Sequence, residues 1–148
     1  MKLLGFDYPT DRHYCLDRDL WVKPMPNGCL RVGITSFGVR ISGSFFMCRP
    51  KPPGVELKCG ETLAVVELNK SVVTIKTPVS GVVQVINNEL SERPEVIEQS
   101  PHELGWLVEL LPTDWNNDRT RLHHGLGLAE AAIARMRLEP EDIFPPTQ

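Results

Sequence analysis

Short runs rich in Val, Ile, Leu, Thr and aromatic residues recur along the chain, with turn residues between them. That spacing predicts a small all-β sandwich or barrel. Trp21-Val22 opens the first strand, and Asn27-Gly28 is a good hairpin turn into Leu30–Thr35. Ser36–Ile41 reads as a short helical turn before Gly43, and Ser44–Cys48 as a second apolar strand. Arg49-Pro-Lys-Pro-Pro-Gly54 then breaks regular structure, because proline cannot donate to a sheet ladder. Val55-Glu56-Leu57 leads through the turn Cys59-Gly60-Glu61 into two further runs, Thr62–Leu68 and Ser71–Lys76. Gly81–Asn87 alternates as a strand, and Trp106–Leu111 gives the last one. Pro94–Gln99 is the one short helix expected inside this domain, with proline at its first turn.

Residues 1–19, with Pro9 and several charges, read as an irregular leader. Beyond residue 111 the period changes. Asp114–Arg121 is polar, and then Leu126, Ala129, Ile133 and Met136 recur at helical spacing, followed by Pro140. The chain therefore divides into a leader (1–19), a β domain (20–111) and a tail (112–148) with an amphipathic helix at about 126–138. Packing of that helix on the β domain is the first expectation, and docking to a partner the alternative.

The stretch that carries chemistry is Glu61–Lys76. Its two β-prone runs flank Asn69-Lys70, the pattern of a β-hairpin with a two-residue turn. Asn tolerates the positive φ that such a turn demands, whereas Lys70 stands where Gly would be easier. Lys70 would sit at the tip of a rigid support, its amine outward, as attachment of a prosthetic group requires. A solvated turn lysine has the same local pattern. Two glycines frame it: Gly54 lies 16 positions before Lys70 and Gly81 11 after, both in proline-containing turns where Gly supplies positive φ or close backbone approach.

Length and composition narrow the classes. A chain of 148 residues with 41% hydrophobic and 24% charged residues suits one soluble globular domain. A net charge of −3 gives no general pull toward nucleic acid or membrane. No apolar run reaches membrane-span length, and Met1-Lys-Leu-Leu-Gly5 is too short for a signal peptide, so a cytoplasmic protein is expected. Cys15, Cys29, Cys48 and Cys59 stand 14, 19 and 11 positions apart, without the close pairing of a zinc or thioredoxin-type site. Reduced structural cysteines are the plain reading, and exchange with a nearby disulfide is the functional one. His123 and His124 are adjacent, do not share a helix face, and read as surface residues rather than metal ligands.

Over roughly His13–Leu110 the chain resembles lipoyl-carrier domains, in particular the H protein of the glycine cleavage system. The resemblance rests on an ordered set. It comprises Leu20-Trp21-Val22, Val32-Gly33-Ile34-Thr35, Val66-Glu67-Leu68-Asn69-Lys70 and Pro78-Val79-Ser80-Gly81, then Val85-Ile86-Asn87-Asn88-Glu89-Leu90, Pro94-Glu95-Val96-Ile97 and Gly105-Trp106-Leu107. It implies a mostly β fold, a flattened barrel or sandwich of two antiparallel sheets with the lysine hairpin at one end. It further implies a carrier rather than an enzyme, with lipoate in amide linkage to Lys70 and no catalytic or metal-binding residue. The partners implied are a lipoate-attaching ligase or transferase, which Glu67 would help to recognise, and dihydrolipoamide dehydrogenase. Biotin carriers share the hairpin but flank their lysine with methionines, where this chain has Asn69 and Ser71. An unmodified interaction module stays open as well.

The sequence departs from the family near the arm. Ser71-Val-Val-Thr-Ile-Lys-Thr77 brings in a basic residue, and Phe45-Phe46-Met47-Cys48-Arg49-Pro50 replaces the usual approach to the Gly54 turn. On these grounds the chain looks closer to the H-like lipoate-binding proteins of bacterial sulfur oxidation, which serve a heterodisulfide-reductase-like complex. The alternative is the glycine cleavage carrier itself, passing an aminomethyl group between glycine decarboxylase and aminomethyltransferase.

Overall fold

In the computed structural model, which describes residues 1–145, the chain forms eleven strands and four α-helices. The strands are β1 (Lys2–Leu3), β2 (Phe6–Asp7), β3 (His13–Cys15), β4 (Leu20–Pro24), β5 (Leu30–Ile34) and β6 (Phe45–Pro50). They continue as β7 (Glu56–Leu57), β8 (Thr62–Leu68), β9 (Val72–Lys76), β10 (Gly81–Ile86) and β11 (Val108–Pro112). The helices are α1 (Ser36–Ser42), α2 (Val96–Gln99), α3 (Trp115–Asp118) and α4 (Leu128–Met136). A six-stranded sheet runs β3-β4-β5-β11-β10-β7, a three-stranded sheet runs β6-β8-β9, and β1-β2 form a separate ribbon. Every pairing is antiparallel. The mostly β fold expected from the sequence is present, but no closed barrel forms among the described residues.

Alternation along the strands builds the main core between the two larger sheets. Val22, Val32, Val66, Val83 and Leu110 from five different strands meet there, all buried. A second cluster joins Phe6, Tyr8, Tyr14, Trp21, Phe37, Leu128, Ala132 and Met136. Trp21 of β4 is central to it. Its indole Nε1 donates to the carbonyl oxygens of Ile34 (3.1 Å) and Pro101 (3.0 Å), and the Arg12 guanidinium lies 4.7 Å above the ring. Gly33 is the cross-strand partner of Trp21, and a methyl group there would overlap the indole. The neighbouring Thr35 caps α1, its hydroxyl accepting from the Gly38 N–H at 3.0 Å. Val32-Gly33-Ile34-Thr35 thus combines a core residue, a gap for a ring, a carbonyl for the indole and a helix cap.

Several elements differ from the sequence expectation. Residues 1–19 are not an irregular leader: they supply the β1-β2 ribbon, the edge strand β3 and a 3₁₀ turn, Leu16–Arg18. Their aromatic residues give the tail helix something to cover, which no local period reveals. The strand expected to end at Cys48 continues to Pro50, because β6 is an edge strand and the proline's missing donor costs no ladder bond. The inner helix is α2, starting at Val96, and the last strand starts at Val108 rather than Trp106. The polar stretch 114–121 folds into α3 and a 3₁₀ turn, with Asp118 buried.

The tail helix packs on the body, as first expected, but on a different phase. Leu126 precedes α4 and is exposed, while Leu128, Ala132 and Met136, spaced by four, form the buried stripe. The cap at Gly127, with φ of 90°, starts the helix two residues later than the apolar spacing suggested. The histidine pair is exposed but tied down: His123 bridges to Tyr14, and His124 stacks on His13 at 4.1 Å. No helix among the described residues is long and apolar enough to cross a membrane.

Two expectations test this packing. Gly33→Ala forces a methyl into the Trp21 ring and should lower stability by at least about 2 kcal/mol, read as a fall in the urea midpoint. His13 and His102 are both held at a pKa of about 4, by burial first, then by the neighbouring charges of His124 and Arg119 for His13 and of Arg12 for His102. Both are depressed relative to the unfolded chain, so their contribution is complete above the ordinary histidine range near 6.5 and is lost as pH falls toward about 4. The urea midpoint should therefore drop between pH 7 and pH 4.5 or so, and His102→Gln should flatten that slope.

Candidate functional site

The β8-β9 hairpin presents Lys70 at its tip. Leu68 N–H donates to the Ser71 carbonyl at 2.8 Å, closing a loop of the two residues Asn69 and Lys70. The non-glycine residues with positive φ among those described are Leu4 and Asp19, so the expected left-handed Asn69 is not found. The turn closes with both central residues at negative φ. That is why the bulky Lys70 is tolerated where a mirror-image turn would favour glycine. Lys70 is exposed, and the ion pairs among the described residues do not include it.

The two framing glycines behave as expected. Gly54 has φ of 93° and donates to the Val83 carbonyl at 2.8 Å, turning the chain after β6. Gly81 begins β10 so close to β11 that a Cβ would sit 2.7 Å from the Leu111 carbonyl oxygen. Together they fix the entry to β7 and the exit from β9, and so the base from which the hairpin projects. Glu67 pairs across the hairpin with Val72, and both are exposed. They place an apolar and an acidic group beside the lysine.

The inner side of the hairpin borders a cleft of about 270 Å³, lined among others by Arg18, Asp19, Ile41, Phe45, Val73 and Ile75. Asp19 is a residue that sequence reasoning did not single out. It adopts φ of 55°, its carbonyl accepts from the Thr35 N–H at 2.9 Å, and its Oδ2 accepts from Arg135 of α4 at 2.8 Å. Its Oδ1 is buried without a partner among the described residues. Burial pushes the Asp19 carboxyl up, and the Arg135 guanidinium opposes that push. A short-range pattern could not have flagged this pair, since its members stand 116 positions apart.

The cysteines are all free. Cys29 and Cys48 are buried, and burial pushes the Cys48 thiol up to about 12. Cys59 is exposed at the base of β8, the opposite end of the hairpin from Lys70. No group of three or more His, Cys, Asp or Glu side chains suited to a metal ion occurs among the described residues.

A lipoyl group asks for an accessible primary amine on a rigid support, and the Lys70 hairpin meets that description. The family model described as Glycine cleavage H-protein matches residues 12–133. The chain is 29% identical over 141 residues to glycine cleavage system H protein 2 of Aquifex aeolicus, covering 94% of this chain and 85% of that one. It is 33% identical over 108 residues to the glycine cleavage system H protein of Mycobacterium avium, covering 73% and 81%. A crystal structure of a glycine cleavage system H protein from Mycobacterium marinum superposes with a TM-score of 0.65 at 32% identity, covering 72% of this chain and 87% of the other.

The Asp19–Arg135 pair gives a test of how the tail supports the cleft wall. Arg135→Met leaves the buried carboxylate without its cation and should cost about 3 kcal/mol. Most of that loss should return in the double variant Asp19→Asn/Arg135→Met, measured by urea unfolding.

Proposed function

The chain belongs to the glycine cleavage H-protein family, and on that premise we propose that Lys70 is the residue that bears its lipoate. Members of this family are non-catalytic carriers with lipoate attached to a lysine. The observation that carries the assignment is the exposed amine at the tip of a two-residue hairpin turn, framed by Gly54 and Gly81. When bound, the group supplies a cyclic disulfide that accepts electrons or a transferred group.

The chain's own residues present and shelter the arm. Glu67 and Val72 flank the amine and offer a recognition surface to the ligase or transferase that attaches lipoate. Amide formation removes the positive charge of Lys70, which makes the attached chain compatible with the apolar side of the cleft at Phe45, Val73 and Ile75. A tethered carrier raises the effective concentration of its cargo at a docked enzyme.

For the cargo, we infer the aminomethyl group of glycine cleavage, with glycine decarboxylase, aminomethyltransferase and dihydrolipoamide dehydrogenase as partners. The relatives named above are glycine cleavage H proteins, which favours this over the sulfur carrier expected from the sequence. The features behind that expectation also have local structural roles. Lys76 donates to the Thr62 hydroxyl at 3.2 Å at the base of the hairpin, and Pro50 closes an edge strand. A cytoplasmic setting fits four unpaired cysteines.

Intact mass of the protein from its native host, beside a Lys70→Arg variant, tests the site. A lipoyl increment on the first and none on the second is the expected result, and an increment that persists in the variant overturns Lys70. Labelled glycine offered with glycine decarboxylase then tests the cargo. Loading of the modified protein is expected; a modified protein that stays unloaded would return the sulfur reading to first place.

A further inference from the structure

Four strands edge the two larger sheets: β3 and β7 in one, β6 and β9 in the other. Three of these edges are blunted. On β3 both backbone groups of Tyr14 are taken up by His123, each at 2.9 Å. β7 is two residues long. β6 bulges at Phe46 and ends in Pro50, two devices that keep an edge from recruiting another strand. β9 shows none of these among the described residues. Its five residues, Val72-Val-Thr-Ile-Lys76, contain no proline, and the one irregularity of the hairpin falls on β8, between Thr62 and Ala64. Val72 and Val73 are 63% and 39% exposed, an apolar surface set on an open edge.

The ladder fixes which backbone groups are free. The Ser71 carbonyl accepts from Leu68 N–H at 2.8 Å; Thr77 donates to the Glu61 carbonyl at 2.8 Å and accepts from Gly60 N–H at 2.9 Å. Both ends of the strand thus bond toward β8 at odd-numbered residues. By the alternation of an antiparallel ladder, Val72, Thr74 and Lys76 turn their N–H and C=O to the free side. The cleft beside the hairpin is lined by Val73, Thr74, Ile75 and Lys76 in succession, residues whose side chains alternate between the two faces. The cleft therefore reaches the edge itself, which stands open to an incoming strand rather than covered by α1.

We propose that β9 pairs with β9 of a second copy of this chain, antiparallel about a two-fold axis at Thr74, joining the two three-stranded sheets into one. Only residues with outward backbone groups can form the bonded pairs of such a ladder, which restricts the register. Centring on Thr74 uses the whole strand: Thr74 faces its counterpart, and Val72 faces Lys76 of the copy. Every other centre shortens the overlap, and centring on Lys76 also opposes like charges. The charges agree with the Thr74 register. Glu67 is the cross-strand neighbour of Val72, so Lys76 of the copy lands in the same row, two strands or about 10 Å away. Both side chains are exposed, stand outside the ion pairs of the described residues, and are long enough to meet over Val72. The two-fold makes this pair twice. On the inner face Val73 meets Ile75 of the copy, apolar against apolar. Lys70 stands outside the paired segment.

The test uses the full-length protein and its Lys70→Arg variant, since the pairing does not depend on what Lys70 bears. Light scattering across a size-exclusion peak should give twice the mass of one chain, falling to a single chain on dilution. Thr74→Pro removes an outward N–H and no internal bond, so it should abolish the dimer while keeping the urea midpoint. Val72→Lys sets lysines face to face at both ends of the ladder and should raise the dissociation constant on the order of tenfold, whereas Val72→Thr should leave it nearly unchanged. The register is read by oxidative cross-linking in a Cys59→Ser background. Opposed residues lie about 5.5 Å apart, within disulfide reach, so Thr74→Cys should cross-link to the same position of the copy and Val72→Cys should not. A single-chain mass at every concentration, a dimer that survives Thr74→Pro, or a Val72→Cys cross-link as fast as that of Thr74→Cys would each overturn the proposal.

Discussion

The close contact between Trp21 and Gly33 is the joint on which the two halves of the molecule meet. An indole can lie flat across the adjacent strand only where that strand offers no side chain, and Gly33 provides the gap. From there the ring reaches the Ile34 and Pro101 carbonyls with its one donor and takes the Arg12 guanidinium on its face. The sheet, the loop around residue 101, the N-terminal segment and the tail helix are thereby brought to one buried aromatic group. A buried Trp without an acceptor carries a desolvation penalty, so its carbonyl partners are part of the joint.

Around this joint the fold separates two tasks. The core between the large sheets fixes the base of the hairpin through β6, β8 and the glycine turns at 54 and 81. The second cluster, under α4, sets the far wall of the cleft through the Arg135–Asp19 pair. The hairpin tip and the cleft beside it are thus held by different elements. The tail has a further use, since α3 and the turn after it deliver Asp118 and Arg121 to the base of the hairpin.

What could be read from the chain was local and repetitive. The alternation of β8 and β9, the glycine frame and the ordered family segments led to the hairpin and to Lys70, because each depends on neighbours in sequence. The phase of α4 was not legible: spacing alone favoured Leu126, but Gly127 starts the helix later and the aromatic cluster selects Leu128, Ala132 and Met136. The N-terminal strands failed for the same reason, as Phe6, Tyr8 and Tyr14 share their buried cluster with α4 residues more than a hundred positions away. The turn conformation at Asn69 ran against residue preference, because strand geometry allowed a negative φ that the dipeptide did not announce. The Asp19–Arg135 pair depends on a pairing across the fold and carries no signature in its own surroundings.

Among the described residues, the outermost strand β9 is bonded to β8 on one side and to no strand on the other. Its far row of peptide groups takes no part in a sheet ladder, and its outer residues Val72 and Thr74 are exposed. In an amide-exchange experiment this strand would belong to the least protected unit of the molecule, opening without global unfolding. Lys70, the proposed attachment residue, therefore projects beside an edge strand whose backbone opens more readily than the strands paired on both sides.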